Sequence, residues 1–395
     1  MTICYVVSGD LVCETPLHIG YGRRTGFIRH TLPYIPGSFL RGALGILMVR
    51  TVCRRPEGPL KDHSECEFSR ECMYARLFGE HEKNKASRVV FRFAYPVHEG
   101  CGGRFLPAPM TLRLCEECGR FYEGFDVYRC EECGKPLKPF RGFVCEKCGE
   151  RVRNPVRTSR VVSTAIDRRT YAAAKIPYVV EGEVLEEAGT LHAMDVIERG
   201  SVFRFEALID GVCGDLVDGF VKLVEKGLPD EGIGGSASRG VGKVYVRGMK
   251  VREVQQDDII EKAATLDSGR FTVRLVSPIV CKDGALCEGG ALRPESLLAA
   301  ARRAYTWAFR RGSPKLPEVR LERWNSSFTV CSGWSMRTGE RRALYPALSA
   351  GSVFEYSSTA SEELGMALAA LEFRAVGPRK PSGYGQVVVE GVKAE

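Results

Sequence analysis

The spacing of apolar positions changes between two periods along the chain, and the changes follow the same order twice. In the first half, apolar residues at every second position predict a strand at residues 3–17. The wider spacing of a helix follows at 39–55. A further strand is predicted at 201–210, and a short amphipathic helix at 215–226. Ser38 stands directly before the first helix and is its predicted N-cap.

The second half repeats this order after a polar link at residues 255–269. Apolar alternation predicts a strand at 271–276, and helical spacing follows at 294–311. Strands are expected around 326–332 and a second helix at 361–371. Both halves therefore run strand, helix, strands, helix, strand.

That order of elements is typical of the split βαβ, ferredoxin-like unit, which RNA-recognition domains also use. We therefore expect an α+β protein with two ferredoxin-like domains on antiparallel sheets, at residues 1–254 and 268–395. The first domain is expected to carry a cysteine-rich insertion at about 53–157. Residues 158–178 combine β-branched side chains with a basic turn, which predicts a projecting, thumb-like hairpin at about 158–190.

Each half ends on the same unusual loop, at residues 232–246 in the first half and 377–389 in the second. Each loop passes from glycine through basic and small residues to further glycine, and then enters a β-branched strand. Glycine adopts positive φ and lets an anionic backbone approach the N–H groups of the chain, while Arg and Lys add charge. Two such loops suggest a duplicated unit that contacts phosphates, and predict that the chain binds nucleic acid.

Positive charge is clustered along the chain rather than abundant. The formal net charge is +8, yet basic pairs recur, for example at Arg54–Arg55, Arg302–Arg303 and Arg341–Arg342. Such clusters favour polyanions. No apolar run approaches the roughly 20 residues of a membrane span, and the N-terminus lacks a secretion pattern. We expect a cytoplasmic protein without a membrane partner, and the scarcity of Asn and Gln hints at a thermophilic source.

Six of the 16 cysteines form three C-x-x-C pairs, each followed by glycine: Cys115, Cys118, Cys130, Cys133, Cys145 and Cys148. A C-x-x-C-G turn directs two thiolates at one metal ion, and two such knuckles complete a tetrahedral zinc site. We expect the first two pairs to share one Zn²⁺. The third pair needs upstream ligands, for which Cys53, Cys66, Cys72 and Cys101 are candidates, with His63 and His98 nearby. These sites offer no open position for water, so the metal is expected to be structural; disulfides are the alternative.

Six segments together resemble the RAMP superfamily of CRISPR-associated proteins. They are residues 15–22, 34–45, 163–175, 196–207, 235–246 and 381–389. Residues 130–143, ahead of the TAIDRR sequence, are similar to the Csx-ten-type subunit of type III-D complexes, a member of the Cas-five group that holds the 5′ handle of the guide RNA. Residues 164–175 are equally similar to the thumb of the backbone subunits, which wedges into the guide–target duplex. The resemblance therefore leaves open whether the protein is the 5′-handle subunit or a backbone subunit of the complex.

The resemblance implies a non-catalytic, RNA-binding subunit of a cytoplasmic ribonucleoprotein in antiviral defence. Its partners would be the guide RNA (crRNA), a Cas-ten-type large subunit and other RAMP subunits, with target RNA reached through the thumb. The expected RNA contacts come from the basic loops, the start of the first helix and the thumb. They are Arg23, Arg24, Ser38, Arg41, Arg168, Arg169, Gly235, Arg239, Gly240, Gly242, Lys243, Arg379, Lys380, Gly383, Tyr384 and Gly385.

Two enzymatic interpretations stay open beside this one. A metal-dependent endoribonuclease acting on target RNA, as backbone RAMP subunits do, would use Asp167, Asp10 or Asp62 to hold Mg²⁺. Processing of the guide precursor would need an acid–base pair, for which His18 and His30 are candidates. A zinc-ribbon module of transcription or ribosome assembly is a third class, but it leaves most of the chain unexplained.

Overall fold

The structure is a computed structural model that describes residues 2–58, 63–79, 86–180, 183–189, 191–266, 268–281, 286–335, 340–341 and 343–392. The helices of this part of the chain are α1 (Gly37–Val52), α2 (Met73–Phe78), α3 (Val217–Glu231), α4 (Gln256–Ala264), α5 (Pro294–Phe309) and α6 (Glu362–Arg374). The strands of the first half are β1 (Thr2–Cys13), β2 (Gly20–Thr25), β3 (Ile28–Thr31), β4 (Val89–Phe91), β5 (Tyr95–Pro96), β6 (Phe105–Pro107), β7 (Leu112–Leu114), β8 (Phe121–Glu123), β9 (Lys138–Pro139), β10 (Phe143–Cys145), β11 (Arg151–Val152), β12 (Thr158–Thr164), β13 (Lys175–Val180), β14 (Glu183–Gly189), β15 (Leu191–Ile197), β16 (Val202–Asp210) and β17 (Val244–Gln255). The strands of the second half are β18 (Arg270–Leu275), β19 (Ile279–Val280), β20 (Cys287–Glu288), β21 (Ala291–Leu292), β22 (Val319–Asn325), β23 (Phe328–Cys331), β24 (Trp334–Ser335), β25 (Glu340–Arg341), β26 (Tyr345–Leu348), β27 (Val353–Ser358) and β28 (Val387–Gly391).

The first half is organised by a sheet in the order β17-β1-β16-β4, in which all neighbours are antiparallel. Helices α1 and α3 cover one face of this sheet. On α1 the apolar spacing of Leu40, Leu44, Leu47 and Met48 places these side chains on one buried face, as expected for an amphipathic helix packed on a sheet. Counted along the chain, the four strands stand in the order 4-1-3-2.

The second half repeats this arrangement. Its main sheet has the order β22-β27-β18-β28, again antiparallel throughout, and α5 and α6 pack on it. Counted along the chain, the order is 2-3-1-4, which is the order of the first sheet seen from the other edge. The expectation of an α+β fold with antiparallel main sheets is confirmed. A smaller sheet contains one parallel pairing, of β3 with β15.

The two halves pack directly on each other. The face of the first sheet that α1 and α3 leave open is covered by the second half, where Cys4, Val6 and Leu208 contact Trp307 of α5 and Phe373 of α6. Trp307 also donates from Nε1 to Asp210 Oδ2 at 3.0 Å. The seam between the halves is therefore a hydrophobic interface with polar contacts at its margin.

The cysteine-rich region is divided by a strand of the main sheet. The expected insertion at 53–157 contains β4, whose fully buried Val89 and Phe91 lie in the core beneath the sheet. β4 pairs with β16. The added chain therefore comes in two segments, one before β4 and one after it.

The residues of the expected thumb form an arm that continues from the sheet of β2 and β3. β12 pairs with β15 from Thr158↔Ile197 to Thr164↔Leu191, and β13 pairs with β14 beyond it. Of the expected hairpin, residues 181, 182 and 190 lie outside the described residues. The tip at 165–174 is a turn closed by the bridge between Ile166 and Ala173.

The second Gly-rich loop meets the start of α1 through backbone atoms. A Cβ atom at Gly37 would lie 2.0 Å from the carbonyl oxygen of Phe91 and 2.8 Å from that of Ser382. A Cβ atom at Gly383 would lie 2.4 Å from the same Phe91 oxygen. Only glycine fits at either position, because the opposing atoms are backbone and cannot rotate away.

We predict that Gly37→Ala destabilises the protein by about 1–3 kcal/mol, the range for overpacking a closed contact. Gly42→Ala in the same helix is the matched control, since nothing would lie within 4 Å of its added Cβ atom and alanine is the better helix former. Urea denaturation of both variants measures the difference. Equal stability of the two variants would refute the close contact.

Candidate metal centres and nucleic-acid interface

The first two knuckles converge on one point, as expected from their spacing. The sulfur atoms of Cys115, Cys118, Cys130 and Cys133 all lie within 4.8 Å of one another. Cys115 Sγ is 3.5 Å from Cys133 Sγ, and Cys130 Sγ is 3.9 Å from Cys118 Sγ. The Tyr122 hydroxyl lies 3.2 Å from Cys130 Sγ and, by hydrogen bonding to the thiolate, lowers the pKa of Cys130 to about 6. Four convergent thiols of this kind could hold a metal ion, and the donor set is compatible with zinc.

The third knuckle joins two upstream residues in a second cluster. The ligand atoms of His98, Cys101, Cys145 and Cys148 lie within 4.8 Å of one another. His98 Nδ1 is 3.3 Å from the sulfur atoms of both Cys101 and Cys148, so Nδ1 faces the centre of the cluster. The other ring nitrogen, Nε2, lies 3.1 Å from a carboxylate oxygen of Glu150. A carboxylate behind a ligating histidine fixes its tautomer and ring orientation.

His98 is one of the upstream residues that the sequence offers for a second site, although a more specific signal for it exists. The sequence H-E-G-C-G at residues 98–102 has the spacing of the three C-x-x-C-G knuckles, with histidine in the first position. The backbone also matches, because Gly102 donates to the His98 carbonyl at 2.7 Å as Gly119 does to that of Cys115 at 2.8 Å. Of the four upstream cysteine candidates, only Cys101 belongs to this cluster.

The other three cysteine candidates lie together elsewhere. Cys53, Cys66 and Cys72 line a cavity of about 480 Å³ beside α1 and α2, together with His63. Among the described residues, these four do not form a group as tight as the first two clusters. The centroid of the His63 ring lies 4.6 Å from that of Tyr74 on α2, with the two rings tilted by 46°.

The segment that carries the two clusters contacts both halves of the chain. Arg104 donates to Glu146 of the third knuckle at 2.8 Å and to Glu206 of β16 at 2.9 Å. Burial raises the pKa of Glu206, but the neighbouring guanidinium groups outweigh this effect and hold the pKa below its usual range. On the other side, Arg323 of β22 donates to Asp126 at 2.7 Å. The segment that carries the two clusters thus bridges the two main sheets.

The two Gly-rich loops share one backbone conformation. In each, a tight turn (Ala237–Arg239 or Lys380–Ser382) is enclosed by left-handed residues. A Cβ atom at Gly242 would lie 2.1 Å from the carbonyl oxygen of Ile233, and a Cβ atom at Gly385 would lie 1.8 Å from that of Val376. These glycines also accept hydrogen bonds of 2.8 Å from the N–H groups of the same partners. The two loops are therefore structurally equivalent. In each, the glycine lies nine residues after the residue whose carbonyl it contacts.

The surroundings of the two loops differ. In the first loop Arg239, Gly240 and Lys243 are exposed and Gly235 is half-buried, while Gly242 is buried by its carbonyl contact. The loop lies on the segment after β1, because Gly235 donates to the His18 carbonyl at 3.0 Å. The first loop therefore presents its cations to solvent.

The second loop is enclosed between the halves. Gly383, Tyr384 and Gly385 are buried, and the Tyr384 ring packs edge-on against Phe93 at 5.4 Å. Arg379 lies over the ring of Tyr345. Because Gly383, Tyr384 and Gly385 are buried, they are not accessible to RNA in this arrangement.

Lys380 lies half-buried in the same seam. Burial, together with the positive charges of Arg374 and Arg303, lowers the pKa of its amine to about 8. A buried amine beside two guanidinium groups is unfavourable without a counter-ion. The Lys380 amine therefore lies beside two other positive charges, at the edge of the second loop.

The start of α1 differs from expectation. The helix begins at Gly37 with Pro36 as N-cap and no capping side chain, so the prediction of Ser38 as N-cap is wrong. The Ser38 hydroxyl instead hydrogen-bonds to that of Tyr384. Arg41 donates to Ser87 Oγ at 3.1 Å and lies over the Phe78 ring, so it already has partners within the protein.

The remaining expected RNA contacts lie on exposed loops. Arg24 is exposed on the hairpin of β2 and β3, and the Arg23 side chain lies outside the described part of the chain. Arg168 and Arg169 are exposed at the tip of the arm. There Asp167 Oδ1 accepts the Arg169 N–H at 2.8 Å, so its carboxylate shapes the turn.

The other candidate catalytic groups are engaged within the fold. Asp10 pairs with Arg204 at 2.5 Å, and Asp62 lies outside the described residues. His18 is buried, its Nδ1 lies 2.8 Å from the Asp195 carbonyl, and burial lowers the pKa of its ring. His30 Nδ1 lies 2.8 Å from Asp195 Oδ2.

Comparison with known proteins identifies the family. Residues 10–245, more than half of the chain, match the model of the RAMP superfamily. The chain belongs to the RAMP superfamily. It is 24% identical over 278 residues to the CRISPR system Cms endoribonuclease Csm3 of Methanothermobacter thermautotrophicus, a match that covers 63% of this chain and 86% of that protein.

The similarity of this chain to solved structures is weaker. A chain of the type III-B Cmr-beta complex bound to cognate target RNA is 15% identical over 64% of this chain, with a TM-score of 0.33, and the match spans only 61% of that chain. A Cas6 product complex is 12% identical over 98% of this chain and 100% of its own, with a TM-score of 0.40. A chain of Cmr-beta bound to cognate target RNA and AMPPnP is 11% identical over 89% and 86%, with a TM-score of 0.40. Within the described residues, no helix has the length and apolarity to cross a membrane.

We predict that Glu150→Gln weakens metal binding at the second cluster by about 10–100-fold, because it removes the charge that orients His98. Glu117→Gln, an exposed glutamate in the first knuckle, is the matched control and should leave both clusters unchanged. Competition with a chromophoric chelator measures the affinity of each variant. Equal metal retention in the two variants would exclude a role for Glu150.

Proposed function

We propose that this protein is a non-catalytic, RNA-binding subunit of a type III CRISPR interference complex. Membership of the RAMP superfamily supports the class, and the relative Csm3 supports the type of complex. The observation that carries the proposal is the exposed first Gly-rich loop, in which Arg239 and Lys243 flank Gly240 and Gly242. The loop presents two exposed cations side by side for an RNA phosphate, while the N–H groups of Gly240 and Gly242 donate to the carbonyls of Ala237 and Pro16 and hold its shape.

The proposal includes two ferredoxin-like units, at residues 1–254 and 268–395. Its support is the shared strand order, since 4-1-3-2 with two helices on one face is the arrangement of that unit. The guide RNA would lie along the first loop and the hairpin that carries Arg24. Arg168 and Arg169 of the arm would reach the target RNA. Partners would be a Cas-ten-type large subunit and further RAMP subunits.

The two loops take different parts in this proposal. The first loop contacts RNA, whereas the second loop joins the halves. Arg379 and Lys380 remain proposed contacts, since they lie at the margin of the seam where an RNA phosphate would supply the missing counter-ion. Gly383, Tyr384 and Gly385 are not retained as contacts, because they are buried.

A nuclease acting on target RNA finds less support, although the relative Csm3 is named an endoribonuclease. Of the candidate carboxylates, Asp167 bonds within its own turn and Asp10 pairs with Arg204. The groups of ligand-type residues found in the described part of the chain consist of cysteine and histidine, which suit zinc rather than Mg²⁺. The proposed subunit therefore binds RNA without cutting it.

The metal in both clusters is proposed to be structural Zn²⁺, since four thiols, or three thiols and an imidazole, complete a tetrahedral site. We further propose a third zinc ion at Cys53, His63, Cys66 and Cys72. These residues line one cavity, and Cys72 and Cys66 stand near the start of α2.

We predict that Arg239→Ala and Lys243→Ala each weaken the binding of single-stranded RNA at moderate salt. Each should also reduce the slope of log K against log salt by about 0.7, the value for one lost phosphate contact. Lys226→Ala, an exposed lysine of α3, removes the same charge outside the loop and serves as control. Fluorescence polarisation across a salt series is the measurement. Identical slopes in all three variants would contradict the proposed role of the loop.

We predict that protein purified under reducing conditions contains three zinc ions per chain. Cys66→Ser should lower the content to two, because it removes a ligand of the third site. Cys213→Ala, a buried cysteine outside all three groups, should leave it at three. Elemental analysis of purified protein decides the matter, and two ions per wild-type chain would remove the third site from the proposal.

A further inference from the structure

A second cavity lies where three parts of the first half meet. It has a volume of about 520 Å³, within the range of small-molecule sites. The β2–β3 hairpin, the end of the segment that carries the two clusters and the base of the arm form its walls. Its lining residues are Tyr21, Thr25, His30, Thr31, Pro33, Arg153, Asn154, Thr158 and Asp195. It lies apart from the residues that hold the metal clusters.

The chemistry of this lining is unusual for a cavity of its size. Hydroxyl, imidazole, amide, carboxylate and guanidinium groups line it beside the ring of Pro33 and the aromatic ring of Tyr21, which is 39% exposed. Arg153 and Asn154 are also exposed. Such a lining suits a ligand with a flat ring, several hydroxyl groups and a negative charge.

The geometry around His30 fixes which of its nitrogen atoms can accept a hydrogen bond. Burial raises the pKa of Asp195, but hydrogen bonds from Arg160 and His30 outweigh it and keep the pKa below its usual range. A carboxylate can only accept, so the proton of His30 lies on Nδ1, 2.8 Å from Asp195 Oδ2. In the neutral ring, Nε2 is then an acceptor, and it lies 2.9 Å from the Thr25 hydroxyl. Asp195 is thus a positioning residue.

The Thr25 hydroxyl occupies the place that a ligand hydroxyl would take. An exposed threonine on a hairpin can rotate about χ1 and release Nε2. A ribose 2′-OH is a donor of the same kind, and it is the group that distinguishes RNA from DNA. Arg153 lies at the rim in a position to contact a phosphate, and the Tyr21 ring can stack on a base.

We propose that this cavity binds one unpaired ribonucleotide of the guide RNA, with its 2′-OH donating to His30 Nε2 and its base stacked on Tyr21. The inference rests on the proposed function and adds to it a site that reads the sugar. The exposed first Gly-rich loop lies nearby, since Gly235 donates to the carbonyl of His18 and Ser236 Oγ contacts Met194, the residue before Asp195. Phosphate contacts and the sugar-reading cavity would thus follow one strand of RNA.

The test compares fluorescently labelled single-stranded RNA with DNA of the same sequence, using the full chain. Wild-type protein should bind RNA more tightly. His30→Phe should weaken RNA binding about fivefold or more and leave DNA binding within about twofold. His30→Gln, which keeps an acceptor, should retain part of the preference, and Thr25→Val should not reduce it. Tyr21→Ala should weaken both RNA and DNA.

A second experiment changes the RNA and compares the wild type with His30→Phe. RNA oligonucleotides that each carry one 2′-deoxynucleotide are scanned along the sequence, and one position is expected to lose affinity for the wild type but not for His30→Phe. Arg153→Gln should weaken both nucleic acids, whereas Arg199→Gln, an exposed arginine in the turn after β15, should not.

The outcomes separate the two proposals. Absence of RNA binding by the wild type would overturn the proposed function itself. RNA binding with the same RNA-to-DNA ratio in wild type and His30→Phe, and with no sensitive position in the scan, would overturn the sugar-reading cavity alone.

Discussion

The arrangement of the whole chain depends on one backbone contact, between the second Gly-rich loop, the start of α1 and β4. Gly37 and Gly383 both approach the carbonyl oxygen of Phe91 so closely that no side chain fits at either position. This contact brings the end of the second half against the first helix of the first half. It also places Tyr384 on Phe93 and closes the interior on that side. The relative position of the two sheets, and hence of every surface they carry, follows from it.

The same contact explains why two equivalent loops have different roles. Both loops form a tight turn between left-handed residues, and both place a glycine against a carbonyl nine residues earlier. Their local sequences therefore determine the same conformation. The first loop lies at the surface, where Arg239 and Lys243 are exposed, whereas the second is covered by the first half. One copy of the duplicated element is thus exposed, and the other joins the two halves.

The segment that carries the two cysteine clusters reinforces the joint, because Phe143 and Cys145 belong to the same hydrophobic cluster as Phe93 and Tyr384. Its knuckles have too few buried apolar residues to form a core of their own, so bound metal would provide the rigidity that small domains lack. Arg104 and Arg323 then connect this segment to the sheets of the two halves. The last residues of the segment, Arg153 and Asn154, also help to form the cavity around His30. Metal binding at the clusters would therefore influence the shape of this cavity.

Features that depend on local residue spacing could be predicted from the amino-acid sequence alone. They are the two repeated sets of elements, the α+β class, the pairing of Cys115 and Cys118 with Cys130 and Cys133, and the arm at Thr158–Thr164. Periodicity and turn chemistry act over a few residues, so they are visible in the chain itself. Other features became apparent only from the folded molecule. These are the partners of Cys145 and Cys148, the burial of Tyr384, and the contact of His30 with Asp195. Each depends on contacts between residues far apart in the chain, and tertiary packing sets their geometry without leaving a local sequence pattern.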